Sequence, residues 1–167
     1  MNRLLLLLVV LCCSCASKPT MKVNHAELQG VQLGFPPSLM VQMTVVLDVY
    51  NPNSYDVAVR GMRGQVTYNG RYTQPINWAP GGEGVWLGSD RTTQVRVPVA
   101  MPVDLAMTLM REAMTGVVKY HVKGKADVTA TRTLQIEKDD YEVDEDGSFA
   151  RQQIEASVAA LGIPFMR

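Results

Sequence analysis

An alternation of apolar and polar residues with a period of two, repeated in three separate stretches, constrains this fold more than any other feature. From Val41 the odd positions are Val41, Met43, Val45, Leu47 and Val49, with Gln42, Thr44, Asp48 and Tyr50 between them. A strand sends successive side chains to opposite faces, so this pattern predicts a half-buried antiparallel strand. Val95, Val97 and Val99 define a second such strand, with Gln94 and Arg96 facing outward. The third is the cleanest: Val118, Tyr120, Val122, Gly124, Ala126 and Val128 face one way, and Lys119, His121, Lys123, Lys125 and Asp127 the other. A sheet with one apolar face needs a second layer to cover it.

The residues between these stretches punctuate them. Asn51-Pro52-Asn53-Ser54 stops the first strand, because proline offers no N–H to a ladder and asparagine tolerates turn geometry. Val57 and Val59 resume the pattern past Gly61 and Gly64, and Val66 and Tyr68 lead into Asn69-Gly70, a strong hairpin signal with Tyr72 to Trp78 as its return. After the Gly-rich loop Pro80 to Gly84, Val85-Trp86-Leu87 makes a short apolar contact. Pro102 opens a helix over 103–114, with Leu105, Leu109 and Ala113 at helical spacing and Gly116 as its stop. Leu134 and Ile136 continue the sheet after a turn near Thr131. Glu137 to Asp146 reads as a solvated acidic turn, and Ser148 to Leu161 as a C-terminal amphipathic helix with Phe149, Ile154, Val158 and Leu161 as its stripe. Six or seven strands with one inserted helix predict an all-β fold, an antiparallel sandwich.

The N-terminus has a different character. Arg3 precedes an apolar run from Leu4 to Leu11, followed by Cys12-Cys13-Ser14-Cys15. This is the three-part pattern of a secretory signal, and eight residues at about 1.5 Å each fall short of a hydrocarbon core of roughly 30 Å. The stretch Leu11 to Cys15 resembles a lipobox, with small Ser14 before the cut and Cys15 as the lipid acceptor, although Cys12 stands where leucine is usual. Cys13 is the other candidate acceptor, and an unlipidated export peptide or a buried N-terminal strand the alternatives. All three cysteines lie within positions 12–15, so a mature chain starting at Cys15 has neither a disulfide nor a thiolate metal site. Of the 167 residues, 153 would remain, enough for one domain, with 15 basic and 16 acidic side chains once Arg3 is removed. That balance excludes nucleic acid as an expected partner. Ala16 to Met21, including Pro19, reads as a tether reaching at most roughly 21 Å.

Three features together resemble the LEA type 2 family (late embryogenesis abundant proteins carrying the water-stress and hypersensitive-response domain). They are the alternating strand running into Asn51-Pro52-Asn53, the valine strand leading through Pro98 and Pro102 into the helix, and Tyr120-His121-Val122-Lys123-Gly124 after it. The resemblance spans about 22–137 and implies an immunoglobulin-like or fibronectin III-like β-sandwich without catalytic residues. Plant members are linked to desiccation and stress, and bacterial members are often lipoproteins. The expected organisation is a signal peptide over 1–14, a lipidated tether over 15–21, the sandwich over 22–137, and an acidic turn with a C-terminal helix over 138–167.

Little in the sequence points to chemistry. His25 and His121 occupy polar strand positions without a supporting constellation, and no hydrolase, phosphate-loop or zinc motif occurs. Glu142, Asp144, Asp146, Gly147 and Ser148 approach calcium-loop spacing, but the first position is not Asp and the twelfth is Gln153, so no metal is expected. Asn51, Pro52 and Asn53 are read as structural. Trp78 and Trp86 flank the Gly-rich loop and either pack over the sandwich or touch lipid or a partner. The expectation is therefore a non-enzymatic, cofactor-free lipoprotein held at the membrane through Cys15, with a binding or stress-protective sandwich. The alternative is a carrier of lipid or another apolar ligand, and an envelope protein or a lipid is the candidate partner. In a Gram-negative cell, Ala16 after the cysteine resembles the pattern sent to the periplasmic face of the outer membrane.

Overall fold

The structure, a computed structural model, describes residues 17–34 and 38–153, and the signal segment with Cys15 lies outside them. The strands are β1 (Thr20–Gly34), β2 (Ser38–Asn51), β3 (Val57–Tyr68), β4 (Tyr72–Trp78), β5 (Val85–Leu87), β6 (Arg91–Pro102), β7 (Val117–Ala130) and β8 (Ile136–Ala150), with one helix, α1 (Val103–Thr115), between β6 and β7. One sheet has the order β1-β2-β6 and the other β4-β3-β7-β8, with β5 also paired to β3. Every pairing is antiparallel. The chain is thus an all-β sandwich, as the alternation predicts.

Two clusters fill the interior. In the first, Val41, Met101 and Val118 meet Leu109 and Ala113 of α1. In the second, Val66, Tyr120, Val122, Ala126 and Val143 are covered by Met21 and Val23 from the opposite sheet. Burying one such leucine or valine stabilises the fold by roughly 1.5–3 kcal/mol. Helix α1 closes one end of the sandwich. Pro102 is its N-cap and the helix stops before Gly116, whose backbone is extended. The Asn69-Gly70 hairpin forms with both residues at positive φ, 47° and 66°.

The acidic segment departs from expectation: Glu137 to Asp146 is not a turn but most of strand β8. Its register on β7 explains why. Lys123 faces Asp144, Lys125 faces Glu142 and His121 faces Asp146, so the outward row of β7 meets a carboxylate row of opposite sign. Tyr141, Val143 and Phe149 share the inward parity of Ala126, Gly124 and Val118. In the same strand Gly147 sits beneath the ring of Tyr120 and has no room for a Cβ. Ser148 and Phe149, expected to open the C-terminal helix, belong to β8; residues 151–153 are helical, and the rest of that expected helix lies outside the described residues.

Strand β1 was legible only around His25, and its two bulges account for the missing alternation. Register shifts between Val23 and His25 and between Leu28 and Gly30 each reverse which residues face inward, so no single alternation runs from Thr20 to Gly34. The expected tether over 15–21 is therefore partly sheet, because β1 starts at Thr20.

Candidate functional site

The densest set of directional contacts lies where β2 ends. Asn51 is fully buried (0% exposed) and Asn53 nearly so (5%), which forces every amide atom there to find a partner. Asn51 Nδ2 faces the carbonyl oxygens of Tyr55, Leu87 and Gly88 at 2.9, 3.2 and 3.3 Å. Its Oδ1 accepts from the Asn53 backbone N–H at 3.1 Å and from Asn53 Nδ2 at 2.8 Å. Between them Pro52 carries no N–H and holds its φ near −65°, so the two amides keep a fixed relation. Only an amide suits position 51, since it must donate to carbonyls and accept from N–H groups at once.

Asn53 then reaches a residue that sequence reasoning did not connect to it. Its Oδ1 accepts from the Ser17 N–H, and its Nδ2 donates to the Ser17 carbonyl, both at 2.8 Å. The side-chain amide thus pairs with one residue's backbone as a neighbouring strand would. Beside it, Lys18 Nζ donates to the Asp144 carbonyl at 3.0 Å and pairs with Glu145 at 2.7 Å. The N-terminal segment is held against the body from Ser17 onward.

The neighbouring loops join the same end. Asp90 N–H donates to the Asn53 carbonyl at 3.0 Å, and Thr131 N–H donates to the Asp56 carbonyl at 2.9 Å. The Asp56 carboxylate accepts from Ser89 N–H at 2.9 Å and from Arg132 Nε at 3.3 Å. Arg132 in turn lies 4.6 Å over the ring of Trp86, whose Nε1 donates to Glu83 at 3.3 Å. Trp86 stands in register with Ala58, while Trp78 pairs with Met62 further along β3. The two tryptophans are therefore not one patch, and only Trp86 belongs to the Asn51 end. No spacing rule could have found Asp56, Thr131 or Arg132, because their contacts span stretches remote in sequence.

The histidines do have acidic neighbours. His121 Nδ1 lies 3.0 Å from Asp146, and Asp144 is 3.7 Å from its Nε2. His25 sits 3.3 Å from Glu27, which also pairs with Arg96. Hydrogen bonding from the Arg96 guanidinium holds the Glu27 carboxyl below its ordinary value. His25 and Arg96 flank Val46 in register on the outer face, and that valine is fully buried among their side chains. Among the described residues no group of three or more His, Cys, Asp or Glu is placed to hold a metal ion. Also among them, no helix is long and apolar enough to cross a membrane. Two open recesses, of about 370 and 540 Å³, are lined mainly by polar residues, Lys22, Asp48 and Thr92 in one and Asn69, His121 and Asp146 in the other.

The family model described as late embryogenesis abundant protein matches residues 46–140. A solution structure of a protein from Arabidopsis thaliana is 17% identical over 81% of this chain and 83% of that one, with a TM-score of 0.45. The solution structure of a late embryogenesis abundant (LEA) protein is also 17% identical, covering 86% of this chain and 76% of that one, with a TM-score of 0.38. A crystal structure of a protein from Archaeoglobus fulgidus is 12% identical over 78% of this chain and 94% of that one, at a TM-score of 0.38. No curated protein sequence matches.

Proposed function

The chain belongs to the late embryogenesis abundant family, LEA type 2, and on that premise we propose that it acts without catalysis, as a binding or stress-protective β-sandwich anchored at the cell envelope by lipid on Cys15. The observation that carries this reading is the Asn53–Ser17 pair. Ser17 follows Cys15 by two residues, and two extended residues reach at most about 7 Å. A lipid on Cys15 would therefore hold the folded body directly at the membrane surface rather than on a loose leash. The non-catalytic part is supported by how the buried amides are used. Asn51 and Asn53 spend their donors and acceptors on backbone groups and on each other, which leaves them structural in effect.

The alternative, a carrier of lipid or another apolar ligand, calls for an enclosed apolar cleft. Both recesses described above are open rather than enclosed, which favours the first reading. Feeding cells a clickable fatty acid tests the anchor. The wild-type chain becomes labelled, and Cys15→Ala stays unlabelled and accumulates as uncut precursor. A labelled Cys15→Ala chain would assign the lipid to another residue, and an unlabelled wild type would remove the anchor altogether.

A further inference from the structure

We infer that the β7–β8 loop, Thr131–Gln135, is a lipid-contact element that seats the sandwich on the membrane at the end from which its N-terminal segment leaves. This rests on the anchored reading above for its biological setting, but the observations behind it are separate.

Leu134 is 72% exposed and Ile136 57%, although both are large apolar side chains that a solvated turn has no reason to display. The loop is held in a shape that displays them. Thr131 and Gln135 take positive φ angles of 58° and 47°. For a β-branched residue such as Thr131 this is a costly conformation that persists only where its surroundings enforce it. The enforcement is visible: Thr131 N–H donates to the Asp56 carbonyl, its Oγ1 accepts from Leu134 N–H at 3.1 Å, and its carbonyl accepts from Gln135 N–H at 3.1 Å. Leu134 is thereby fixed outward on a braced turn.

The occupant follows from where the chain leaves the body. Asp56 braces the loop, Asp90 links to Asn53, and Asn53 grips Ser17, so the loop and the exit point of the N-terminal segment share one end of the molecule. The apolar stretch Leu4 to Leu11 and Cys15 lie just upstream of that exit, and whichever of them engages lipid brings this end to the bilayer. Arg132 over Trp86 adds an amphipathic pair beside the loop, of the kind favoured at the headgroup level. Basic and acidic side chains are mixed here (Arg91 and Arg132 with Asp56 and Asp90), so the contact chemistry is apolar insertion rather than attraction to anionic headgroups.

The test uses photocrosslinking in phosphatidylcholine vesicles. Benzoylphenylalanine replaces Leu134 in one protein and, as a control of equal exposure at the other end, Leu33 in a second. Each is assayed as the lipidated protein purified from membranes, and again as a chain starting at Cys15 that is coupled through that cysteine to a maleimide-headgroup lipid. The expected result in both forms is a severalfold excess of phospholipid adducts at position 134 over position 33. Equal yields, or an excess at position 33, would overturn the inference. Flotation of the purified protein with vesicles reads the natural anchor independently. If only the chemically coupled chain floats and still crosslinks through position 134, the anchor reading fails while the seating inference stands. If the natural protein floats and position 134 yields no excess, the reverse holds. Leu134→Asp combined with Ile136→Asp supplies a second readout: trypsin should then reach Arg132 in vesicle-bound protein as fast as in detergent, whereas the wild type is cut more slowly on vesicles.

Discussion

The two ends of this sandwich are built on opposite principles. At the Asn51 end, segments distant in sequence are joined by named hydrogen bonds: Ser17 to Asn53, Asn51 to Leu87 and Gly88, Asp56 to Ser89 and Thr131. At the other end α1 lies over Val41, Met101 and Val118, and it leaves Met107, Met110 and Met114 exposed, with Val31, Leu33 and Leu39 exposed on the β1–β2 hairpin. A buried polar node has to be satisfied atom by atom, so it accepts one residue type at each place. An apolar cap depends on area and volume, and its outer face accepts many. One end specifies the arrangement of the chain, while the other adds burial with little specificity.

That contrast can be broken. Asn51→Ala should produce the largest effect, a loss of about 3 kcal/mol in urea unfolding, because five backbone and side-chain groups lose a buried partner. Asn51→Asp should be no milder, since a carboxylate would face three carbonyl oxygens. A cost under about 1 kcal/mol for either would end the claim that this node organises the fold. Tyr68 gives the helix end a chemical weakness. Burial, with a smaller contribution from nearby Tyr120, pushes its phenol up to about 12 from an ordinary 10.0. A raised folded value favours the neutral form. The resulting stability is complete below pH 10 and is lost as pH rises from 10 towards 12, by about 2 kcal/mol in all. Alkaline unfolding of Tyr68→Phe should show a correspondingly flatter profile in that window, and an unchanged profile would mean that the phenol is not the group responsible.

Asn53→Ala comes next, at roughly 1–2 kcal/mol. Its signature is local: faster amide exchange at Ser17, whose N–H loses its acceptor, with exchange at Leu109 in the helix unaffected. The smallest effect belongs to Met107→Glu with Met114→Glu, expected within about 0.5 kcal/mol of wild type. The pair should weaken binding of a hydrophobic dye while leaving the urea midpoint in place. A large loss of stability from this pair would show that the apolar end is as specific as the polar one.

How far the sequence carried follows from the same physics. Strands β2, β6 and β7 were legible because each keeps one parity along its length, and α1 because Leu109 and Ala113 repeat at helical spacing. The extent of strand β1, marked in the sequence only around His25, was hidden by its two bulges. Strand β8 was hidden by composition, since an acidic run looks solvated until the lysine row of β7 is placed beside it. The signal was present in Lys119, Lys123 and Lys125 alternating on one strand and Glu142, Asp144 and Asp146 on another. Asn51-Pro52-Asn53 could be marked as structural from residue types alone. Its hold on Ser17 could not, because Asn53 and Ser17 are brought together only by the closed sandwich.

Among the described residues, strand β8 also forms the outer boundary of its sheet. Such a margin is where copies of a protein zip together into fibres. Here a second molecule approaching margin to margin would set Glu142, Asp144 and Asp146 against carboxylates of the same sign, and like charges placed opposite one another oppose pairing. The carboxylate row that ties β8 to β7 on one side thus guards it on the other, and it would do so most where many copies crowd together and every margin faces a twin.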